Sequence, residues 1–462
     1  MNKLILFFVI LTAWAISVPL QAAEVSGKIG YMSGALVAQR PDGTIKVMAP
    51  KSEVQEGDML VTAKDSYAQV LMNDGTRMTL RPNSNLKIET YQFRQDAPKT
   101  DSAVFRLLKG GFRTITGLIG KRGNPDAYQL RAATATIGIR GTDFTSRLCA
   151  TQNCQDDGEM AKTAGPVVEQ PKAVGRVMLI EGAMAAKEAS GKVRKLTLGS
   201  PVFEGDTLQS SAQSHGVVAF RDGGRITLQE NSVFKVEAFK YDRAGTQESA
   251  SLRLLKGGVR VVTGFIGRFN RDTYKFAVAG ATIGIRGTGF DAWCNGPCAE
   301  GANDFGATSD KPLDGAGVFV WAGEVVLVSP GGSFIVAVNQ AAIIARETGK
   351  PVPIVAIPPS VTGNTAPRPD SVPVDVDKLF EESSGSGEPG LYVTVHDGQV
   401  ILAKGDTKID LGRGETGFTN EQILTRLAAT PAFMGGDNKL DNIEKSGGSR
   451  SGINQNGCVI GP

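Results

Sequence analysis

Apolar and polar positions alternate two by two through most of this chain. In AQVLMNDGTRMTLRPNS, Ala68 to Ser84, Val70 and Met72 alternate with polar neighbours, Asp74-Gly75 interrupts, and Met78 and Leu80 alternate on the return. In GVVAFRDGGRITLQENS, Gly216 to Ser232, the same places hold Val218, Phe220, Asp222-Gly223, Ile226 and Leu228. Asp-Gly between two alternating runs predicts a β-hairpin with a type I′ turn, which needs positive φ at both central residues. The apolar set keeps one register, because a slip of one residue would turn it all to water. Lys109-Gly110-Gly111 and Lys256-Gly257-Gly258 look like a second turn in each copy. Helical periodicity is nearly absent until Thr419, which forms a capping box with Gln422 ahead of Ile423, Leu424 and Leu427; Pro431 would stop that helix. The pattern predicts an all-β protein with one short C-terminal helix.

The two hairpins belong to a long duplication. ATIGIRGTDF, from Ala135, recurs as ATIGIRGTGF from Ala281, 146 positions on. RLLKGGFRTITGLIG (Arg106 to Gly120) recurs as RLLKGGVRVVTGFIG (Arg253 to Gly267), and Glu56-Gly57-Asp58 as Glu204-Gly205-Asp206. Such repeats outrank local signals in assigning a fold. The first half of the unit returns twice in shortened form, over Val318–Ile344 and Leu391–Phe418. The organisation expected is therefore a first module at 24–154, a linker at 155–172, a second module at 173–298 and a loop at 299–316. A β half-module follows at 317–350, then a Pro-rich linker at 351–389, a small β-unit plus helix at 390–433 and a loose tail at 434–462. The Pro-rich segment carries eight prolines and a Ser/Gly run and reads as a spacer, disordered in part.

Composition refines this. Gly makes up 57 of 462 residues, nearly twice the usual share, as many tight turns require. Lys3 followed by the uncharged run Leu4–Val18, Pro19 and Gln21-Ala22-Ala23 reads as a cleaved secretory signal over 1–23. The alternative is an uncleaved anchor, for which fifteen residues are short. No transmembrane segment is expected in the mature chain. The expected location is the periplasm or the exterior of a Gram-negative-type bacterium.

The cysteines fit an oxidising compartment. Cys149 and Cys154 are five apart, Cys294 and Cys298 four apart, and each pair follows its copy of the repeated phrase. Two local disulfides are the natural reading. Metal thiolates lack a nearby His or third Cys, and a redox dithiol would need one residue fewer between Cys294 and Cys298. Cys458 is unpaired in this scheme.

With the hairpin and the Arg-Gly-Thr phrase in hand, the chain resembles the FecR family of periplasmic sensing proteins. The resemblance rests on Glu56-Gly57-Asp58 with Leu60, on the Asp-Gly hairpin with Asn83, and on Gly138-Ile139-Arg140-Gly141-Thr142 with Phe144, all repeated in the second copy. It implies a solenoid-like or sandwich-like stack of short strands. Founding members sense an outer-membrane siderophore transporter and signal through a membrane helix to a sigma-factor-binding segment. This chain opens on a signal-like run instead, so the resemblance implies a stand-alone binding or scaffolding protein of the cell envelope. Iron-siderophore signalling through a separate membrane partner and surface adhesion are the alternatives, with an envelope enzyme a distant third.

Candidate chemistry is sparse. Arg140 and Arg286 could present guanidinium forks to a carboxylate or phosphate. Alternatively, Gly138, Gly141 and Thr142, with Gly284, Gly287 and Thr288, serve a tight strand crossing, and each Arg pairs with an acid of its own repeat such as Asp58 or Asp206. The stretch 102–148 holds eight Lys/Arg against Asp126 and Asp143, and 250–292 holds seven against Asp272 and Asp291. The whole chain carries only +3. This segregation points either to an anionic envelope ligand or to solvated strand faces. Nucleic acid is not expected, since aromatic interleaving is thin. His215 and His396 lie in different blocks, and no catalytic, cofactor or metal signature appears. Neither a cofactor nor an enzymatic role is therefore expected, and the partner is an unidentified envelope protein or anionic ligand. Mass spectrometry of exported protein without reductant is expected to find Cys149 joined to Cys154 and Cys294 to Cys298; free thiols at these positions would contradict the oxidised-compartment reading.

Overall fold

The computed structural model describes residues 24–122, 124, 126–132, 135–152, 154, 172–242, 247–278, 280–285, 287–295, 315–345, 348–357, 361, 363–383, 387–434, 440 and 443, without the side chain of Arg140. The signal segment, Cys298, Arg286, Cys458 and most of the 155–172, 299–316 and 434–462 segments lie outside the described residues. The described chain is almost entirely strand, with two short α-helices at Phe265–Phe269 and Val376–Leu379.

Each repeat is a sandwich of two sheets joined by long bent strands. Ser102–Ile115 is the first of these. Its N-terminal part pairs with Asn85–Gln92 and, in parallel, with Tyr128–Ala132. Its C-terminal part pairs with Arg77–Leu80 and with the far end of Ala135–Cys149. Lys109-Gly110-Gly111 is thus not a turn but the bend inside one strand. Gly110 sits at φ +73°, where a Cβ would lie 2.7 Å from the Asn83 carbonyl oxygen and the Ser84 Cα. Ser84 Oγ stitches the bend by accepting from the Gly111 N–H (2.9 Å) and donating to the Gly111 carbonyl (2.8 Å). Ser249–Val262 repeats the device: Gly257 is at φ +79°, and Ser232 Oγ bonds both backbone groups of Gly258 at 2.9 Å. A local motif scan reads two glycines as a turn because both features need positive φ; only the long-range serine distinguishes a bend.

The hairpins form where expected, Tyr67–Met72 with Arg77–Leu80 and His215–Phe220 with Arg225–Leu228. The turn type differs. Gly75 and Gly223 have positive φ, but Asp74 and Asp222 do not. The geometry is that of a longer loop closed by one left-handed Gly, which leaves the Asp side chain free to turn inward.

The two shortened half-units complete the two modules. In the second module, Gly289–Cys294 pairs with Ala316–Ala322 and Ala281–Ile285 with Glu324–Ser329. The closing unit therefore follows directly in sequence. In the first module the same places are taken by Gly390–Lys404, which pairs with Ala135–Cys149 along its whole length. The segment 390–433 is thus no separate unit: it returns some 250 residues along the chain to finish the first sandwich. Leu391, Val393, Val395, Val400, Leu402 and Leu411 enter the first module's core. At about 1.5–3 kcal/mol per buried aliphatic side chain, their gross contribution is on the order of 10 kcal/mol before ordering entropy.

Asp397-Gly398 bends the strand Gly390–Lys404. Gly398 (φ +83°) lies against Gly141, and Gly323 (φ +74°) lies against Gly287, with a Cβ only 2.6 and 2.7 Å from the respective carbonyl oxygens. The expected C-terminal helix is absent. Leu424–Leu427 is a strand on Thr416–Thr419, and Asn420 Oδ1 accepts from the N–H groups of Gln422 and Ile423 in the intervening turn. The capping pattern was real, but a sheet edge in reach outweighs the propensity of so short a helix.

The Pro-rich segment is also more ordered than a spacer. Pro351–Ile354 is a strand on Ala341–Ile344. Residues 363–383 form a strap over the second module. Arg225 donates to the Val372 carbonyl (2.8 Å), Thr227 to that of Pro367 (2.9 Å) and Arg260 to that of Ala366 (2.6 Å). Proline carbonyls remain good acceptors although the ring nitrogen cannot donate. A chain ending at Val355 is expected to lose protease protection across 24–149 while 173–354 stays resistant. Equal protection of the two modules in limited proteolysis would contradict completion from the C-terminal end.

Candidate functional site

The repeated Arg-Gly-Thr phrase lies where a strand crosses from one sheet to the other. Gly141 and Gly287 are at φ +60° and +68°. The Thr142 N–H donates to Thr116 Oγ1 (2.8 Å), and the Thr142 carbonyl accepts from the Thr116 N–H (3.0 Å) and Oγ1 (3.2 Å). Thr288 and Thr263 repeat the exchange at 3.0 and 3.1 Å. Thr142 Oγ1 also donates to the Gln399 carbonyl (2.7 Å), tying the crossing to the closing unit. Gly138 and Gly284 are less constrained, since a Cβ there would make only ordinary contacts at 3.9 and 3.5 Å. The side chains of Arg140 and Arg286 fall outside the described residues. The acids expected to pair with them have other partners: Asp58 lies 3.8 Å from Arg40, and Asp206 pairs with Arg194. Burial raises both carboxyl pKa values in spite of those arginines.

Several arginines of the basic stretches meet carboxylates within the modules. Arg106 and Arg131 share Glu89, Arg113 forks onto Asp143 at 2.8–2.9 Å, and Arg122 lies 3.6 Å from Asp101. In the second copy Arg253 pairs with Glu237, and Arg260 lies 3.7 Å from Asp291. Arg147 is buried against the Phe433 carbonyl. The hairpin acids turn inward. Asp74 accepts from Thr76 (N–H 3.0 Å, Oγ1 2.8 Å), Tyr91 (3.1 Å) and the Ile119 N–H (3.2 Å). Asp222 accepts from the N–H groups of Gly224 (2.9 Å) and Ile266 (3.3 Å). His396 meets Thr145 (2.8 Å), and His215 lies 3.6 Å from Glu181. Cys149 and Cys154 form a disulfide across Cα atoms 4.7 Å apart. Cys294 is disulfide-bonded as well.

The residues that do converge come from three distant segments. A cleft of about 580 Å³ opens between the modules, bounded by Gly120, Lys121 and Gly141 of the first repeat, Lys192–Lys195 and Pro201 of the second, and Asp397, Gln399 and Arg413 of the closing unit. Gln399 Oε1 accepts from Thr197 Oγ1 (2.7 Å) and Ser200 Oγ (3.0 Å), pinning the second module to the closing strand. Lys192 pairs with Asp397 across the mouth, and Arg413 reaches Glu188 at 2.7 Å. Below the cleft, buried Arg176 pairs with Glu415 and donates to the Gly199 carbonyl (3.2 Å). Arg426, beside it, donates to the Asp410 carbonyl (3.0 Å); burial and the neighbouring Arg176 bring its pKa down to about 10. Of these residues, only Gly141 was among the candidate site residues, and Gly120 and Lys121 lie in the basic stretch 102–148. The others carry no local signal, because the fold brings them together from more than 200 residues apart.

The FecR protein family model matches residues 58–160 and 206–301. The two repeats are FecR domains. Among solved structures, a cell surface anchoring domain is 19% identical over 13% of this chain and 82% of its own length, with a TM-score of 0.13. A protein assigned as an anti-sigma factor from Parabacteroides distasonis, seen in two crystal structures, is 16% identical over 34% of this chain, with a TM-score of 0.24. This chain spans 62% of that protein. No curated protein sequence matches.

The strap gives the second FecR module a titrating contact. Trp321 Nε1 donates to Asp291 (3.1 Å), and the Arg368 guanidinium stacks 3.7 Å above the Trp321 ring. Burial pushes the Asp291 pKa up to about 6 despite Arg260. An acid whose folded pKa is raised stabilises the fold while protonated, and that gain is lost as pH rises through the folded value. Between about pH 4 and 7 the parent is expected to lose roughly 1–3 kcal/mol relative to Asp291→Asn. Paired denaturation curves check this, and a constant difference across that range would contradict it.

Proposed function

We propose that this chain is an exported, non-enzymatic binding or scaffolding protein of the bacterial cell envelope, in which two FecR modules are locked together to present one shared cleft. The observation that carries the reading is the cleft between the modules, lined by both of them and by the closing unit. A concave site assembled from separate segments is where ligands settle on rigid scaffolds. The oxidised Cys149–Cys154 pair supports an exported setting. The groups around the cleft are ammonium, guanidinium, amide and hydroxyl, with one carboxylate, Asp397, paired to Lys192 at the mouth; the nearby carboxylates Glu188 and Asp206 are committed to arginines. Photo-crosslinking from Val193 at the cleft, followed by affinity capture from the native envelope, is expected to recover a specific partner and to find the protein in the periplasmic extract. Recovery of nothing above a control crosslinker placed at Gly43, or accumulation in the cytoplasm, would overturn the reading.

A further inference from the structure

The cleft's charge arrangement is uneven in an informative way. Five cations line it: Lys121, Lys192, Arg194, Lys195 and Arg413. The two guanidinium groups are held by internal carboxylates, Arg194 by Asp206 and Glu188, and Arg413 by Glu188. They therefore shape the wall, fixed by charge-assisted bonds. Lys192 is held by Asp397 at the exposed mouth, where an ion pair is worth little and exchanges readily. Among the described residues, neither Lys121 nor Lys195 has a carboxylate partner. Lys121 runs its stem against the Gly141 backbone, its Cγ 3.4 Å from where a Cβ would stand. Lys195 lies on the opposite wall, on the strand Val193–Leu196. The two ammonium groups thus come from different FecR modules. Pro201 and the half-exposed Val193 add an apolar surface between the charges.

We propose that the cleft binds a small ligand bearing a carboxylate or phosphate group, gripped between Lys121 and Lys195, with Lys192 recruited as the ligand displaces Asp397. This rests on reading the cleft as the binding site. The volume lies within the range of small-molecule sites and is too small for a folded partner. Asp397 acts as an internal competitor: its carboxylate occupies one of the cations that an incoming oxyanion would use. A ligand bridging the two lysines would also hold the modules in their present relation.

The test uses the mature chain with three probes, inorganic phosphate, glucose 6-phosphate and glucuronate, measured by calorimetric titration at low salt. Saturable binding of at least one probe is expected, weakening as salt is raised. Lys121→Gln with Lys195→Gln should weaken it about tenfold or more, whereas Asp397→Asn should strengthen it several-fold by freeing Lys192. All three positions are at the surface, and unchanged circular dichroism would confirm that the variants fold. Binding of the phosphate probes alone identifies a phosphate ligand, and binding of glucuronate alone a carboxylate. No saturation at about 10 mM of any probe, or binding unaffected by the lysine variants, would overturn the proposal. Weakening by Asp397→Asn would overturn it too, since Asp397 would then be a contact and not a competitor. If crosslinking from Val193 still recovered an envelope partner, the broader reading would survive that failure.

Discussion

Everything in this molecule depends on how the outer edge of Ala135–Cys149 is satisfied. That strand bends between two sheets, so it offers unpaired backbone groups along both. Left open, such an edge is a template for pairing with other chains. In the second module the next residues in sequence cover the equivalent edges. In the first, the chain moves on to build the second module, and only Gly390–Lys404 closes the edge. Completing one sandwich therefore requires the C-terminal part of the chain to return to its beginning. The two FecR modules are held together as a consequence of pairing the first one's backbone.

The return path is specified by polar contacts more than by apolar ones. Arg176 with Glu415, and Arg426, sit where the second module meets the closing unit, and Arg221 holds Glu382 of the strap. Buried pairs of this kind add little net stability, because desolvation offsets most of the attraction. Their effect is on geometry: a shift of the interface would leave a guanidinium buried without its carboxylate, at a cost of several kcal/mol. The strap works in the same sense, with three side chains of the second module bonding to the carbonyl groups of Ala366, Pro367 and Val372. Orientation set this way is what keeps the walls of the cleft apart at a fixed distance.

The sequence displays what is local and what is copied. The hairpins, the all-β character and the two half-units are visible because each is a period-2 pattern repeated in register. What it hides is pairing between distant segments. Nothing in LYVTVHDGQVILAKG announces that it belongs beside Ala135–Cys149 and not on its own. Positive-φ glycines mark bends and turns alike, so Gly110, Gly257 and Gly398 were indistinguishable from turn residues until Ser84, Ser232 and Gly141 were seen against them. Asp206 meets Arg194 from a neighbouring strand, a contact that its place in the motif does not announce.

The contrast between copied and uncopied residues separates fold from site. The Gly-Thr crossing, the serine-stitched bend and the inward-turned Asp occur in both modules with the same bonds to backbone N–H groups, as packing constraints must. The cleft occurs once. By the register of the duplication, Lys192, Val193 and Lys195 correspond to Thr44, Ile45 and Val47, on a strand with the same pairing but no lysine at those places. In that first-module strand Ile45 and Val47 stand in solvent, 67% and 75% exposed. The same hairpin of the second module faces Lys121 and Gly141 of the first and has gained the charges that the meeting of two modules makes useful. Duplication supplied the scaffold twice; the junction between the copies sets Lys121 beside Lys192 and Lys195, charges that the corresponding first-module strand lacks.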